Sequence, residues 1–101
     1  MNRKEFLDVA EQIICRDRQD VHGKPEDCFH LIADYWGAFI TNKCGTAVLL
    51  GAHDVAVMMT LFKVARWQMN PNHKDNVVDG IGYLALAGEL KSGDSYENPK
   101  S

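Results

Sequence analysis

The chain has 101 residues, a net charge of −3 at pH 7 and 46% hydrophobic residues. This length fits one domain, and the hydrophobic content is that of a globular chain rather than a disordered one. The pI of about 5.7 argues against a nonspecific nucleic-acid binder, which needs a broad basic surface, but it leaves room for a small nucleotide site.

The three cysteines are Cys15, Cys28 and Cys44, and no two of them have CxxC spacing. An odd number without close spacing predicts reduced thiols in a cytoplasm rather than a disulfide framework. The first residues lead into no long apolar run, which predicts no signal peptide, and the apolar run 47–50 is far too short to span a bilayer. We therefore expect a cytoplasmic protein without a membrane partner.

The first two predicted helices are separated by a polar segment. Residues 2–16 have helical periodicity, residues 17–24 predict a loop, and Pro25 suits the first turn of a second helix, where its missing N–H is not needed. The apolar positions are Phe6, Val9, Ala10, Ile13 and Ile14 on the first helix and Phe29, Ile32, Ala33, Trp36 and Ile40 on the second. Residues 41–45 close the second helix, and residues 46–51 fit either a short buried turn or an apolar loop.

The third predicted helix, residues 52–69, is apolar over most of its circumference, so we expect it to be the most buried element. Pro71 ends it, because proline disfavours helical geometry in the preceding residue. The fourth helix follows over residues 73–91. Its predicted core face is Val77, Val78, Ile81, Leu84 and Ala85.

The few residues between the third and fourth helices predict an antiparallel hairpin. The expected fold is therefore all-α, a four-helix bundle-like single domain over residues 1–92. Residues 93–101 are expected to form a flexible C-terminal tail.

Three glycines, Gly80, Gly82 and Gly88, lie inside the fourth predicted helix, where each costs roughly 1 kcal/mol relative to alanine. They indicate either close packing against a neighbouring helix or room for a ligand, and close packing is the commoner reason. Together with the wide apolar face of the third helix, they predict a homo-oligomer.

Charged side chains are expected to converge where the third and fourth helices meet. Lys63 and Arg66 lie near one face of the third helix, and Asp75 and Asp79 share a face of the fourth. At a rise of 1.5 Å per residue, Arg66 and Asp79 each lie about 6 Å from the turn.

The simpler interpretation of this cluster is a salt-bridge network that clamps the hairpin and contributes little stability. The functional interpretation is a phosphate and metal site. In that case Asp75 and Asp79 bind one Mg²⁺, and Lys63 and Arg66 stabilise charge developing on the phosphate chain.

Three further residues are candidate ligand contacts. Asn72 and His73 stand at the start of the fourth helix, where anions are favoured, and Trp36 could stack on a base. The simpler interpretations are a helix-terminal hydrogen bond for His73 and a core position for Trp36. Cys28 and His30 lack the remaining ligands of a structural zinc site, and no P-loop or GxGxxG pattern occurs.

Several segments resemble an uncharacterised family of small phage and prophage proteins. These segments are residues 20–25, 29–36, 54–59, 63–66 and 73–83. The resemblance extends from about residue 5 to residue 90 and implies a phage-encoded protein.

Residues 75–84 also resemble the later helix of the all-α, MazG-like nucleoside triphosphate pyrophosphohydrolases. Those enzymes bind Mg²⁺ through an ExxE pair on one helix and an ExxD pair on a later helix. Asp79 matches the aspartate of ExxD, whereas Asn76 stands at the position of its glutamate, with Asp75 beside it. No ExxE occurs on the second or third helix. The acids that would have to replace it are Glu26, Asp27, Asp34 and Asp54.

The leading hypothesis is therefore a nucleotide-binding, MazG-like helical protein. If it is active, it cleaves a nucleoside triphosphate to monophosphate and pyrophosphate with Mg²⁺. The alternative is a non-enzymatic phage accessory protein that binds a host protein or sequesters a nucleotide signal of host defence. The resemblance to phage proteins implies that either would act in the cytoplasm of the host cell.

Overall fold

The computed structural model describes residues 1–13 and 25–92, which form four α-helices and contain no strand. The helices are α1 (Arg3–Gln12), α2 (Pro25–Cys44), α3 (Ala52–Met69) and α4 (Asp75–Ser92). The all-α prediction is confirmed.

Some predictions fall outside the described residues. They are the end of the first predicted helix at residues 14–16 with Cys15, the predicted loop at residues 17–24, and the predicted tail at residues 93–101. The division into one domain and a tail stays a prediction. Across the two described ranges, no helix combines the length and apolar character that crossing a membrane requires.

The start of α1 is fixed by a reciprocal pair of hydrogen bonds. The Glu5 backbone N–H donates to Asn2 Oδ1 over 2.9 Å, and the Asn2 backbone N–H donates to Glu5 Oε1 over 3.1 Å. This capping box satisfies backbone donors that the first helical turn leaves without partners.

The segment between α2 and α3 is a loop, which resolves the ambiguity of residues 46–51. Gly45 has φ +76° directly after α2, and its N–H donates to the Thr41 carbonyl over 2.9 Å. The Thr41 hydroxyl accepts from the Val48 N–H over 2.9 Å and donates to the Val48 carbonyl over 3.3 Å. A single threonine thus holds the loop against α2, and Leu50 reaches the core while Leu49 is exposed.

The core lies where α2, the first half of α3 and the second half of α4 meet. Its buried members are Phe29, Ala33, Ala52, Val55, Ala56, Leu86 and Ala87. The predicted apolar face of α2 is confirmed, because Phe29 and Ala33 are buried and Ile32 and Trp36 pack against the same cluster. The Phe29 and Tyr83 rings stack with centroids 6.1 Å apart.

The expectation that α3 is the most buried helix is wrong for the chain as described. Its buried residues are Ala52, Val55 and Ala56, all in the first half of the helix. Leu61, Val64 and Trp67 in the second half are exposed. The reason is that α2 packs beside the first half, and no other described helix covers the outer side of the second half.

The buried face of α4 also differs from the predicted one. Val78, Gly82 and Leu86 are buried, as are Asn76 and Ala87, whereas Val77 and Ile81 are half-buried and Leu84 is exposed. Apolar residues surround most of this helix, so periodicity alone could not select the side that faces the core. Of the five residues of the predicted core face, Val78 alone is buried, and Leu84 and Ala85 are exposed, so the prediction of this face is wrong for most of its members.

Gly80 and Gly88 of α4 are not closely packed against other described residues. A Cβ at Gly80 would lie 3.8 Å from Lys63 Cβ, an ordinary contact, and a Cβ at Gly88 would meet no atom within 4 Å. Close packing of these two glycines within the chain is therefore not found. Gly82 is buried.

Candidate functional site

A tight connection joins α3 to α4 and brings the end of one beside the start of the other. The Asn70 N–H donates to the Arg66 carbonyl over 3.0 Å, and the His73 N–H donates to the Asn70 carbonyl over 3.1 Å. The Val78 N–H then donates to the Lys74 carbonyl over 3.2 Å as α4 begins. Because His73 takes part in the turn, α4 starts at Asp75 rather than at residue 73 as predicted.

A pocket of about 360 Å³ opens at this junction, and we call it the hairpin pocket. Its lining residues are Phe62, Ala65, Arg66, Met69, Asn70, His73 and Asn76. Arg66 and His73 are the ionisable members of this set, which contains no carboxylate. In a chain with a net charge of −3, this lining favours an anionic ligand.

The Phe62 ring lies close to two cationic side chains, those of Lys63 and Arg66. The Phe62 ring centroid lies 5.5 Å from Arg66 Cζ and 5.7 Å from Lys63 Nζ. Both distances are within the range of cation–π attraction. Attraction to the Phe62 ring favours a position of the Arg66 guanidinium beside the pocket.

Asn76 supplies a buried amide to the same pocket. It is only 5% exposed, and its backbone N–H donates to the His73 carbonyl over 3.4 Å. Every fully inaccessible side-chain nitrogen or oxygen of the described residues has a hydrogen-bond partner, so burial leaves no amide atom of Asn76 both inaccessible and unbonded. Asn76 therefore places an amide, rather than an apolar side chain, in the wall of the pocket.

Lys63 and Asp79 form an ion pair between α3 and α4. Lys63 Nζ lies 3.1 Å from Asp79 Oδ2, and the two side chains are only 14% and 12% exposed. The predicted convergence of charges is thus found for this pair, with Lys63 rather than Arg66 as the partner. Three residues turn an α-helix by about 300°, so Arg66 points about 60° away from Lys63 and lines the pocket instead.

The described carboxylates do not form a metal site by themselves. Asp75 is exposed at the first position of α4, and Asp79 is paired with Lys63. Within residues 1–13 and 25–92, no group of three or more His, Cys, Asp or Glu side chains is placed to hold a metal ion. Asp54, one of the acids that would have to replace the missing ExxE, accepts the Gly51 N–H at the start of α3 over 2.9 Å. Mg²⁺ at Asp75 and Asp79 stays a prediction.

The other predicted site residues are divided between the pocket and the rest of the chain. Arg66 and His73 line the hairpin pocket together. Asn72 is exposed in the turn, and Trp36 packs against the core, away from the residues that line the pocket.

Five lining residues were not predicted as site residues, namely Phe62, Ala65, Met69, Asn70 and Asn76. Of these, Phe62 and Asn76 show which sequence signals were available. Phe62 stands four positions before Arg66, which puts both on one helical face. Asn76 is an amide next to the first residue of α4, directly before the apolar pair Val77 and Val78. Both patterns are visible in the sequence, but they indicate a shared pocket only once the two helices are in place.

The comparisons with known proteins identify a phage family. Residues 5–91 match a family model described as a domain of unknown function, DUF6378. The Gene 55 protein of Mycobacterium phage L5 is 37% identical over 95 residues, which cover 94% of this chain and 58% of that protein. No solved structure matches the chain. The resemblance to a phage family is confirmed, whereas none of these matches shows a link to MazG-like enzymes. The sequence alone indicates an uncharacterised family of phage proteins. The match over residues 5–91 shows that the chain belongs to the DUF6378 family.

Proposed function

We propose that the protein binds a phosphate-bearing ligand of the nucleotide class in the hairpin pocket. The observation that carries the proposal is the lining of this pocket, where the described residues include Arg66 and His73 and no carboxylate. A guanidinium presents several N–H donors in one plane and suits phosphate oxygens better than an ammonium does.

The remaining lining residues give the pocket a second recognition element. Asn70 and Asn76 carry amides that can hydrogen-bond a base or a sugar. Phe62, Ala65 and Met69 supply apolar surface for a ring. A nucleotide has an anionic end and a flat, polar-edged end, and this lining offers partners for both.

We propose ligand binding from the pocket itself. Hydrolysis of the ligand is suggested only by the resemblance of residues 75–84 to MazG-like enzymes. Pyrophosphohydrolase activity would need Mg²⁺, and the described carboxylates form no ready metal cluster. Lys63 is also paired with Asp79 rather than directed at a ligand. We therefore assign no hydrolytic step to Lys63, Arg66, Asp75 or Asp79.

The second candidate is a non-enzymatic accessory protein that sequesters a nucleotide in the cytoplasm of the host cell. Two observations favour it, namely the similarity to a phage protein and the ion pair between Lys63 and Asp79. Alternatively, the accessory protein binds a host protein instead of a nucleotide. In that case the chain should have no affinity for free nucleotides.

A calorimetric panel with product analysis tests these proposals. The probes are the common ribonucleoside and deoxyribonucleoside triphosphates, their monophosphates, the nucleosides and inorganic triphosphate, each with and without Mg²⁺ or Mn²⁺. We expect binding of phosphorylated probes and none of nucleosides. Release of pyrophosphate would establish the enzyme, and binding without turnover would establish sequestration. No binding of any phosphorylated probe would contradict the proposed function.

A further inference from the structure

The charge that the hairpin pocket can neutralise limits the number of phosphate groups in its ligand. Among the lining residues, Arg66 carries a permanent positive charge. His73 supplies a ring N–H donor or, when it is protonated, a second positive charge. A phosphate monoester carries about 1.5 to 2 negative charges at pH 7. The positive charge of the lining therefore matches a ligand with a single phosphate group.

The cations beside the pocket do not add to this capacity. Lys63, the cation next to Arg66 along α3, is not part of the lining and lies 3.1 Å from Asp79, with both side chains largely buried. Lys74 and Asp75 are exposed neighbours with opposite charges, so their fields largely cancel at a distance. A second and a third phosphate group would therefore find no further cation in the described lining.

The size of the pocket limits the ligand in the same way. Its volume of about 360 Å³ lies near the lower end of the range for ligand pockets, which is about 300–1,000 Å³. Part of this space is bounded by Phe62, Ala65 and Met69, the apolar surface that we propose for a ring. Once a ring, a sugar and one phosphate group are inside, a longer phosphate chain has to extend into water.

The lining also offers no carboxylate to a metal that accompanies the ligand. Mg²⁺ in nucleotide sites is usually held by one or two carboxylates together with the phosphate oxygens. The described lining contains no carboxylate, and Asp79 is already paired with Lys63. A complex of Mg²⁺ with a triphosphate would thus bring a cation for which this lining has no partner.

From the charge, the size and the composition of the lining, we propose that the hairpin pocket selects nucleoside monophosphates over triphosphates and binds them without a divalent metal. Arg66 and His73 bind the single phosphate group. Further phosphate groups lose water near the pocket without gaining a cation, so their desolvation is not compensated. This selectivity rests on the proposed function, since a pocket that binds no nucleotide has no preference among nucleotides.

Calorimetry with monophosphates and triphosphates of the same nucleosides, each with Mg²⁺ and with EDTA, tests the proposal. For the base that binds best, the monophosphate should bind with about 10-fold higher affinity or more. Mg²⁺ should change that affinity by less than about twofold. Triphosphates that bind equally or more tightly, or binding that requires Mg²⁺, would overturn this inference and leave the proposed function standing. If no phosphorylated probe binds, both are contradicted.

A matched pair of variants tests whether the number of cations sets the preference. Ala65→Lys adds a cation at an exposed lining position and should raise the affinity for triphosphates about 10-fold more than the affinity for monophosphates. Gln68→Lys adds the same charge at an exposed position of α3 outside the lining, and the ratio of the two affinities should stay within about twofold of the wild type. Circular dichroism checks that both variants fold. An unchanged ratio in Ala65→Lys would overturn the inference.

Discussion

At the scale of single residues, the Lys63–Asp79 ion pair joins α3 to α4 in a largely buried position. Asp79→Asn keeps the volume of the side chain but leaves the Lys63 ammonium without its opposite charge. We expect a loss of roughly 2–3 kcal/mol in the free energy of unfolding, because an unpaired charge away from water is costly. Urea denaturation measures this loss.

The matched control is the ion pair between Lys4 and Asp8, which has the same 3.1 Å separation but side chains that are 81% and 58% exposed. Asp8→Asn should cost at most about 0.5 kcal/mol. The double variant Lys63→Met/Asp79→Leu should recover part of the stability, since an apolar pair removes the unpaired charge. Equal costs for Asp79→Asn and Asp8→Asn would show that burial does not matter for this pair.

Single residues also show how far the candidate site follows from the sequence. Arg66 was predicted to stabilise charge on a phosphate chain and His73 to contact the ligand, and both side chains line one pocket; their roles stay predictions. Residue counting gives the height of a side chain along a helix and its direction relative to its neighbours, but it does not give which of those directions faces the next helix. For this reason Lys63, rather than Arg66, is the partner of Asp79.

At the scale of helices, the two ends of α3 were predicted at residues 52 and 69, where the structure has them. Pro71 and the start of an apolar run are strong local signals. The start of α4 was predicted two residues early, because the hydrogen bond from His73 to Asn70 depends on a turn that periodicity does not detect. The core face of α4 could not be predicted, since a nearly all-apolar helix is compatible with several faces.

Two glycines with opposite roles give a prediction at the same scale. Gly45→Ala should destabilise the protein by about 1 kcal/mol, because Gly45 has φ +76° and an L-residue is strained there. Gly88→Ala should stabilise it by about 0.5–1 kcal/mol, because the position is helical and its Cβ meets no atom within 4 Å. Thermal unfolding compares the two variants, which carry the same chemical change. If both variants are destabilised, the interpretation that a side chain at residue 88 meets only open space would be contradicted.

At the scale of the whole molecule, the small core suggests that stability is linked to association. In the described residues, Val55 is the one large side chain that is almost completely inaccessible, and the second half of α3 is uncovered. If a second copy covers this surface, the midpoint of thermal unfolding should rise with protein concentration by mass action. The Leu84→Glu variant should show a midpoint that is lower and independent of concentration. A wild-type midpoint that does not change with concentration would contradict this expectation.

Ligand binding and association are expected to use different surfaces of the molecule. The exposed apolar residues Val64, Trp67 and Leu84 lie outside the lining of the hairpin pocket. If the expected homo-oligomer forms through these residues, Leu84→Glu should weaken association and leave nucleotide affinity within about twofold of the wild type, because Leu84 contributes nothing to the pocket lining. Calorimetry and sedimentation on the same sample check both. A parallel loss of the two properties would mean that the pocket needs the second copy.

The most direct test of the central proposal is nucleotide binding by wild type, Arg66→Ala and Arg3→Ala. Arg66 lines the hairpin pocket and Arg3 is an exposed arginine on α1, so the two variants change net charge equally. Calorimetry with nucleoside triphosphates and inorganic triphosphate should show affinity reduced by about 10- to 100-fold in Arg66→Ala, the range for a lost charged hydrogen bond. Arg3→Ala should bind like the wild type. Equal affinity of Arg66→Ala and the wild type would contradict the assignment of the phosphate site to the hairpin pocket.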